Sequence, residues 1–185
     1  IVKCTKAKDC GRSTGSYSKV NIYSLLIEMR FDWRNTSMLI RAIRSNEIPL
    51  LTDFLYEAIF QEDTGNLAPR TIIQQPDIWK YIDRFGELSG DYCLVAEEDG
   101  NIVGAVWVRN ISAFGFVGEN IPEFAISIYP EYRNQGIGTQ LMESMLLLLK
   151  KEGYENASLA VQKKNYASKM YLKIGFEIFD ENDQE

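Results

Sequence analysis

The segment Pro130-Glu131-Tyr132-Arg133-Asn134-Gln135-Gly136-Ile137-Gly138-Thr139 joins a β-rich run to a long amphipathic stretch, and its residue types suit the binding of an anion. Gly136 and Gly138 carry no Cβ, so a ligand can approach the backbone closely there. The first N–H groups of a helix have no intrahelical partner, and the helix dipole adds positive potential beside them. Arg133 contributes a full charge, and converging N–H groups with one cation suit a pyrophosphate. A Walker A loop is excluded, because the chain has no Gly followed after four residues by Gly-Lys-Ser/Thr. A dinucleotide fingerprint needs a third glycine where Leu141 stands, and a turn directly after the strand, whereas six residues separate Tyr129 from Gly136. What remains is Arg-x-x-Gly-x-Gly. A helix merely started by glycines would carry the same letters.

The elements that must position this turn can be read from periodicity. Leu39 to Arg44 reads as a strand, and Ser45 or Asn46 as the cap of a helix on which Ile48, Leu51, Leu55 and Ile59 recur, with Pro49 in its first turn. After a loop from Gly65 to Gln75, Pro76 opens a second helix with Ile78, Ile82 and Phe85 on one side, stopped by Gly86 and Gly90. Tyr92 to Glu97 and Ile102 to Arg109 flank Asp99-Gly100, a strong hairpin signal. The loop Asn110 to Ile121 leads to a strand, Pro122 to Tyr129, and then to a helix, Ile137 to Glu152, terminated by Gly153. Ala157 to Gln162 reads as a strand, Asn165 to Lys173 as a helix and Phe176 to Phe179 as a last strand. The fold class is mixed α/β (α+β).

Composition removes several chemistries. The 185 residues contain no histidine, so a Ser-His-Asp or Cys-His apparatus and any imidazole metal site are impossible. Cys4, Cys10 and Cys93 form no C-x-x-C pair and are odd in number, which argues against a disulfide framework or metal knuckle and for a reducing cytoplasm; Cys93, inside an apolar strand, reads as packing. No metal is expected. A net charge of -6 argues against nucleic acid, and no apolar run is long enough for a bilayer span. With 45% hydrophobic residues, one domain is expected. Residues 1–37 hold seven basic and three acidic side chains, net +4, and the rest of the chain carries -10. This basic extension is either fraying or an added strand; the structured domain is expected from Met38 to 180, able to bind its ligand without the first 37 residues, with an acidic tail at 181–185.

A second segment, Asn165-Tyr166-Ala167-Ser168-Lys169-Met170-Tyr171-Leu172-Lys173-Ile174-Gly175-Phe176, places an Asn at a helix start, then an Ala and a Tyr, and Gly-Phe before the final strand. With Arg133 to Gly138 upstream of it, the chain resembles the GNAT superfamily of acyl-CoA-dependent N-acyltransferases. The two motifs occur in that family's order, and the element order from Leu39 to Phe179 is similar to its fold. The resemblance implies a mostly antiparallel central sheet with helices on both faces and strands splayed at the coenzyme site. It also implies acetyl-CoA as cosubstrate, and direct attack by a primary amine in a ternary complex.

On that resemblance, Arg133, Asn134, Gln135, Gly136, Ile137, Gly138 and Thr139 would cradle the pyrophosphate, and the backbone of Ile126, Ser127 and Ile128 would hold the pantetheine and polarise the thioester. Those three residues equally suit an ordinary buried strand. Asn165 would bind the pantetheine, cap its helix, or do both. Tyr171 matches the general-acid position, where a hydroxyl of pKa about 10 can protonate a departing thiolate of about 8.5, or is a core aromatic packed with Ala167 and Ile174. Glu123, on the strand face shared with Ala125, Ser127 and Tyr129, is the candidate base, or a solvated strand-end carboxylate; Glu119 is a poorer candidate. Trp79, Tyr81, Phe114 and Phe116 lie in segments that would shape the acceptor pocket. A non-catalytic acyl-CoA-binding module is the alternative, nucleotide binding a weaker one. The acceptor amine stays open, as does a homodimer.

Overall fold

Eight strands among the described residues form one sheet, and its order places the candidate turn beside a break in strand pairing. The computed structural model describes residues 2–7, 29–33, 36–62 and 65–181, with side chains from Met38 onward. The apolar run from Ile22 is described only from residue 29, and Cys10 and residues 182–185 lie outside the described residues.

In chain order the elements are β1 (Val2–Ala7), β2 (Met29–Trp33), β3 (Thr36–Ala42), α1 (Leu51–Ala58), α2 (Pro76–Trp79), β4 (Tyr92–Glu98), β5 (Asn101–Arg109), β6 (Glu123–Ile128), α3 (Ile137–Lys151), β7 (Asn156–Val161), α4 (Ser168–Lys173) and β8 (Glu177–Glu181). The sheet order is β2-β3-β4-β5-β6-β7-β1-β8. All neighbours run antiparallel except β6 and β7, which are parallel. Alternation along the central strands sends Leu94, Val106 and Val108 to one face, against Leu141, Met142 and Met145 of α3. Cys93, Val95 and Trp107 go to the other, against Leu51, Phe54 and Leu55 of α1. Each face of the sheet thus buries a helix, as period-2 strands between two layers require. A bulge at Val103 breaks the alternation, so that Val103 joins Val106 and Val108 on the α3 side while Ile102 packs with Ala105 and Trp107 on the other.

Several expected boundaries move. Residues Ser45–Leu50 form a 3-10 helix before α1, and Glu47 accepts the Arg44 N–H at 2.8 Å, so neither Ser45 nor Asn46 caps it. Arg41 reaches back to the same carboxylate at 2.7 Å and to Glu97 of β4 at 2.6 Å, which holds the Glu47 carboxyl below its ordinary pKa. The second helix stops at Trp79, and the chain then winds through turns with Arg84 at φ 47° and Gly86 at φ 92°. Those turns bury Tyr81, Ile82 and Phe85 together, which a straight helix ending at Phe85 would not need. The loop from Gly65 to Gln75 contains a 3-10 turn, Arg70–Gln74. α4 starts three residues later than expected, and β8 runs on to Glu181. The Asp99-Gly100 turn has positive φ at both residues, 50° and 82°, the primed hairpin geometry its sequence encodes. Among the described residues no helix is long and apolar enough to cross a membrane.

Of the two alternatives for the first 37 residues, fraying or an added strand, the described ones form strand: β1 and β2 both lie within them. β1 fills the gap between β7 and β8, antiparallel to both, and β2 pairs with β3. Without β1 both flanking strands would lose a ladder of backbone hydrogen bonds. A chain beginning at Met38 is therefore expected to melt several degrees or more below the full chain, because at this size each 1 kcal/mol lost lowers the midpoint by about 2–4 °C. Equal melting temperatures by calorimetry would show that the two strands contribute nothing to stability.

Candidate active site: a cleft where two strands part

β6 and β7 pair only through Glu123 with Ser158 and Phe124 with Leu159. Beyond Phe124 they diverge. The Tyr129 N–H donates to the Val103 carbonyl at 3.0 Å, and this sets the phase of the β5–β6 ladder. Alternation then aims the backbone groups of Ser127 and Ala125 at β5, and those of Ile126 and Ile128 toward the departing β7. The Ile128 carbonyl accepts a bond from Arg133 Nε at 2.8 Å. The opening leads to a cavity of about 1260 Å³, bounded by α1, β6, the start of α3, the end of β7 and α4.

At its mouth stands the glycine turn. Gly136 occupies the left-handed region (φ 82°) at the N-cap of α3, with no side-chain cap, and a Cβ built there would meet nothing within 4 Å. The first N–H groups of a 15-residue helix therefore open onto free space. Asn134 also has positive φ, 62°, and Asn134, Gln135 and Gly136 are exposed. Gly138 has a different task, since a Cβ there would press on Ile128 Cδ1 at 3.3 Å and Met170 Sδ at 3.4 Å. It lets α3 lie close to β6 and α4. Ile137 is buried under the turn, and Thr139 lines the cavity. The residues fit an extended phosphorylated ligand, with its anionic end at the helix terminus and its chain along β6.

The expected site residues divide in the structure. Ile126, Ile128, Arg133, Asn134, Gly136, Gly138, Thr139, Asn165 and Tyr171 all line the cavity. Arg133 is not a lone cation at the helix terminus: besides the Ile128 carbonyl it pairs with Glu57 at 2.8 Å, tying α1 to the glycine turn. Ser127 lines the cavity but spends its hydroxyl on the Phe54 carbonyl at 2.7 Å. Gln135 donates to the Glu131 carbonyl at 3.1 Å. Asn165 accepts the Ala167 N–H through Oδ1 at 2.9 Å, which closes a turn ahead of α4; the cap position itself is Ala167, with no side-chain cap bond, so the expected capping role is not seen. Tyr171 is buried on the cleft side of α4, its ring 6.1 Å from that of Phe176.

Glu123 is not a solvated strand-end carboxylate. It is 1% exposed, and its Oε1 accepts both the Tyr81 hydroxyl and, at 2.5 Å, the Gly115 N–H. Burial, together with this carboxylate, pushes the Tyr81 hydroxyl far above its ordinary pKa. Tyr81 lines the cavity and stacks on Phe114 with centroids 6.5 Å apart. Trp79 and Phe116, 37% exposed each, do not line it. Gly115 was missed by sequence reasoning. A Cβ there would meet Glu123 Oε1 and the Leu159 carbonyl carbon at 2.8 Å, so only glycine lets this loop lie against both diverging strands. Glu57 and Tyr56 were missed too, because their letters are those of any amphipathic helix. Cys93 is buried in the core and its thiol is pushed up by burial.

A parallel strand pair that opens beside a glycine-capped helix makes a cleft whose shape suits an extended, phosphate-ended molecule. A model of the Acetyltransferase (GNAT) family matches residues 55–176, and the chain belongs to that family. Among solved structures, the aminoglycoside N-acetyltransferase AAC(6')-Iy in complex with CoA superposes with TM-score 0.58 at 16% identity, over 84% of this chain and 97% of that one. A GCN5-related N-acetyltransferase from Ralstonia eutropha JMP134 gives 0.60 at 18%, over 80% and 97%. The PaiA N-acetyltransferase from Thermoplasma acidophilum in complex with coenzyme A gives 0.58 at 21%, over 79% and 93%. At these identities the likeness is one of fold. No curated protein matches the sequence.

Gly136→Asp is expected to abolish CoA binding in a folded protein, since it sets a negative charge at the positive end of α3 while Asp tolerates the left-handed backbone. Calorimetric affinity equal to the parent's in a folded variant would remove the turn from the site.

Proposed function

We propose that this chain is an N-acetyltransferase that moves acetyl from acetyl-CoA to a primary amine by direct attack in a ternary complex. The observation that carries the reading is the parting of β6 and β7, with backbone of Ile126 and Ile128 turned toward the gap and the glycine turn at its mouth. Backbone N–H groups held rigidly in a dry cleft stabilise developing oxyanion charge by a few kcal/mol without reorganising, so Ile126 and Ile128 are assigned that task. The turn from Asn134 to Thr139 is assigned the pyrophosphate.

An amine near pKa 10 must lose a proton to attack and another as the tetrahedral adduct collapses. Tyr81 lines the cavity and donates to the buried Glu123, so we assign proton removal to the pair: Tyr81 Oη accepts from the amine as its own proton passes to Glu123. The leaving thiolate takes its proton from Tyr171, which is restored by the second proton that the adduct nitrogen releases as it collapses. The alternative of a binding module without turnover is decided by acetyl-CoA consumption across an amine panel: CoA binding with no acetyl transfer to any amine would establish it.

Two measurements test the assignments. Tyr171→Phe keeps the ring and deletes the hydroxyl, so turnover is expected to fall roughly 10- to 10⁴-fold with acetyl-CoA affinity and stability unchanged, and the defect should shrink with a donor whose thiol is more acidic. Preserved turnover with altered stability would make Tyr171 a core residue. For the relay, Tyr81→Phe and Glu123→Gln should each lower turnover by roughly 10²-fold or more, and the double variant by little further, because both break one proton path. Independent, multiplying losses would separate the two residues.

A further inference from the structure

The acceptor arm of the cleft is walled by apolar and aromatic side chains: Leu55, Ile59, Phe60, Leu67, Ile72 and Phe114. Its polar groups are already committed. The Tyr56 hydroxyl donates to the Ala68 carbonyl at 2.6 Å, and Gln61 accepts the Ala68 N–H at 2.5 Å. Among the described lining residues the carboxylates are Glu57 and Glu62. Glu57 is paired with Arg133 at 2.8 Å, and Glu62 with Lys164 at 2.8 Å across the mouth, where it is 65% exposed. An exposed carboxylate is screened by water and salt and already holds a cation. A second ammonium group on the acceptor would therefore enter an apolar arm and find, among the described residues, no spare anion to offset its lost hydration.

We infer that the acceptor is a primary monoamine with an apolar body, aromatic or alkyl, and that polycations such as polyamines and aminoglycosides are disfavoured. The inference rests on the N-acetyltransferase reading. It departs from the chemistry in the name of the aminoglycoside enzyme that shares the fold. The arm rewards each methylene removed from water, whereas only the reacting nitrogen needs polar partners, and these lie at Tyr81 and along β6.

The test uses the full chain with acetyl-CoA and the amines propyl- to hexylamine, 2-phenylethylamine, spermidine and kanamycin. The value of kcat/KM should rise about two- to four-fold per methylene along the alkyl series. Spermidine and kanamycin should lie at least about ten-fold below 2-phenylethylamine. A flat alkyl series, or preference for either polycation, overturns the inference. Leu67 is 54% exposed and can change without disturbing the core; Leu67→Glu should narrow the gap between 2-phenylethylamine and spermidine by about five-fold or more, and an unchanged ratio also counts against the inference. Calorimetric titration of the same amines into the CoA-saturated protein reads the arm apart from turnover. Affinity that climbs with chain length without acetyl transfer upholds the apolar arm and overturns the transferase; transfer with no dependence on chain length does the reverse.

Discussion

The constraint on which the site depends is the early end of the β6–β7 ladder. Paired strands satisfy each other's backbone groups, and a pair that stops after Phe124 leaves those of Ile126 and Ile128 to find other partners. Arg133 takes the Ile128 carbonyl, and the remaining groups face the cleft. Close packing on every side maintains the separation. Phe124 meets Phe176 edge-on at 5.9 Å, and Gly115 lies against the backbone of Leu159 and Ala160. From the other flank, Gly104 lets Ile128 approach β5, where a Cβ would stand 3.0 Å from its Cγ1. Each glycine marks a contact that only an absent side chain permits.

Around that opening, charge links segments far apart in sequence. Arg133 links the glycine turn to Glu57 of α1, so one ion pair joins the two sides of the cleft. Arg109 does the same deeper in the fold. It is 3% exposed, meets Asp91 at 2.9 Å, and donates at 2.8 Å to the carbonyls of Lys80 and Asp83, which brings the turns after α2 onto β5. A buried guanidinium is tolerable only when its donors are satisfied in this way. Its consequence for the site is Tyr81, carried by those turns to Glu123.

Legibility followed the range of the interactions involved. The hairpin at Asp99-Gly100 and the 15-residue α3 with Gly136 at its cap were readable because each is encoded by residues adjacent along the chain. The helix expected from Pro76 was misread beyond Trp79 because Ile78, Ile82 and Phe85 have helical spacing, yet the Arg109 pair and burial of Tyr81 reward a turned path. For the first 37 residues the choice between fraying and an added strand stayed open, since β1 finds its partners far along the chain, at residues 156–161 and 177–181, although β2 pairs with the adjacent residues 36–40.

The amino-acid sequence alone determined the mixed α/β class, the exclusion of histidine chemistry, the glycine turn that opens α3 and the placing of Asn165 and Tyr171 around the last helix, because composition and short-range spacing carry that information. Tertiary structure decided the rest. It turned Arg133 from a lone cation into a brace between two carbonyl and carboxylate partners, withdrew Glu123 from solvent behind Tyr81, and paired the carboxylates that line the acceptor arm. The physical reason is that a charge's role depends on what lies within a few ångströms of it, and here those neighbours come from segments up to 102 residues away.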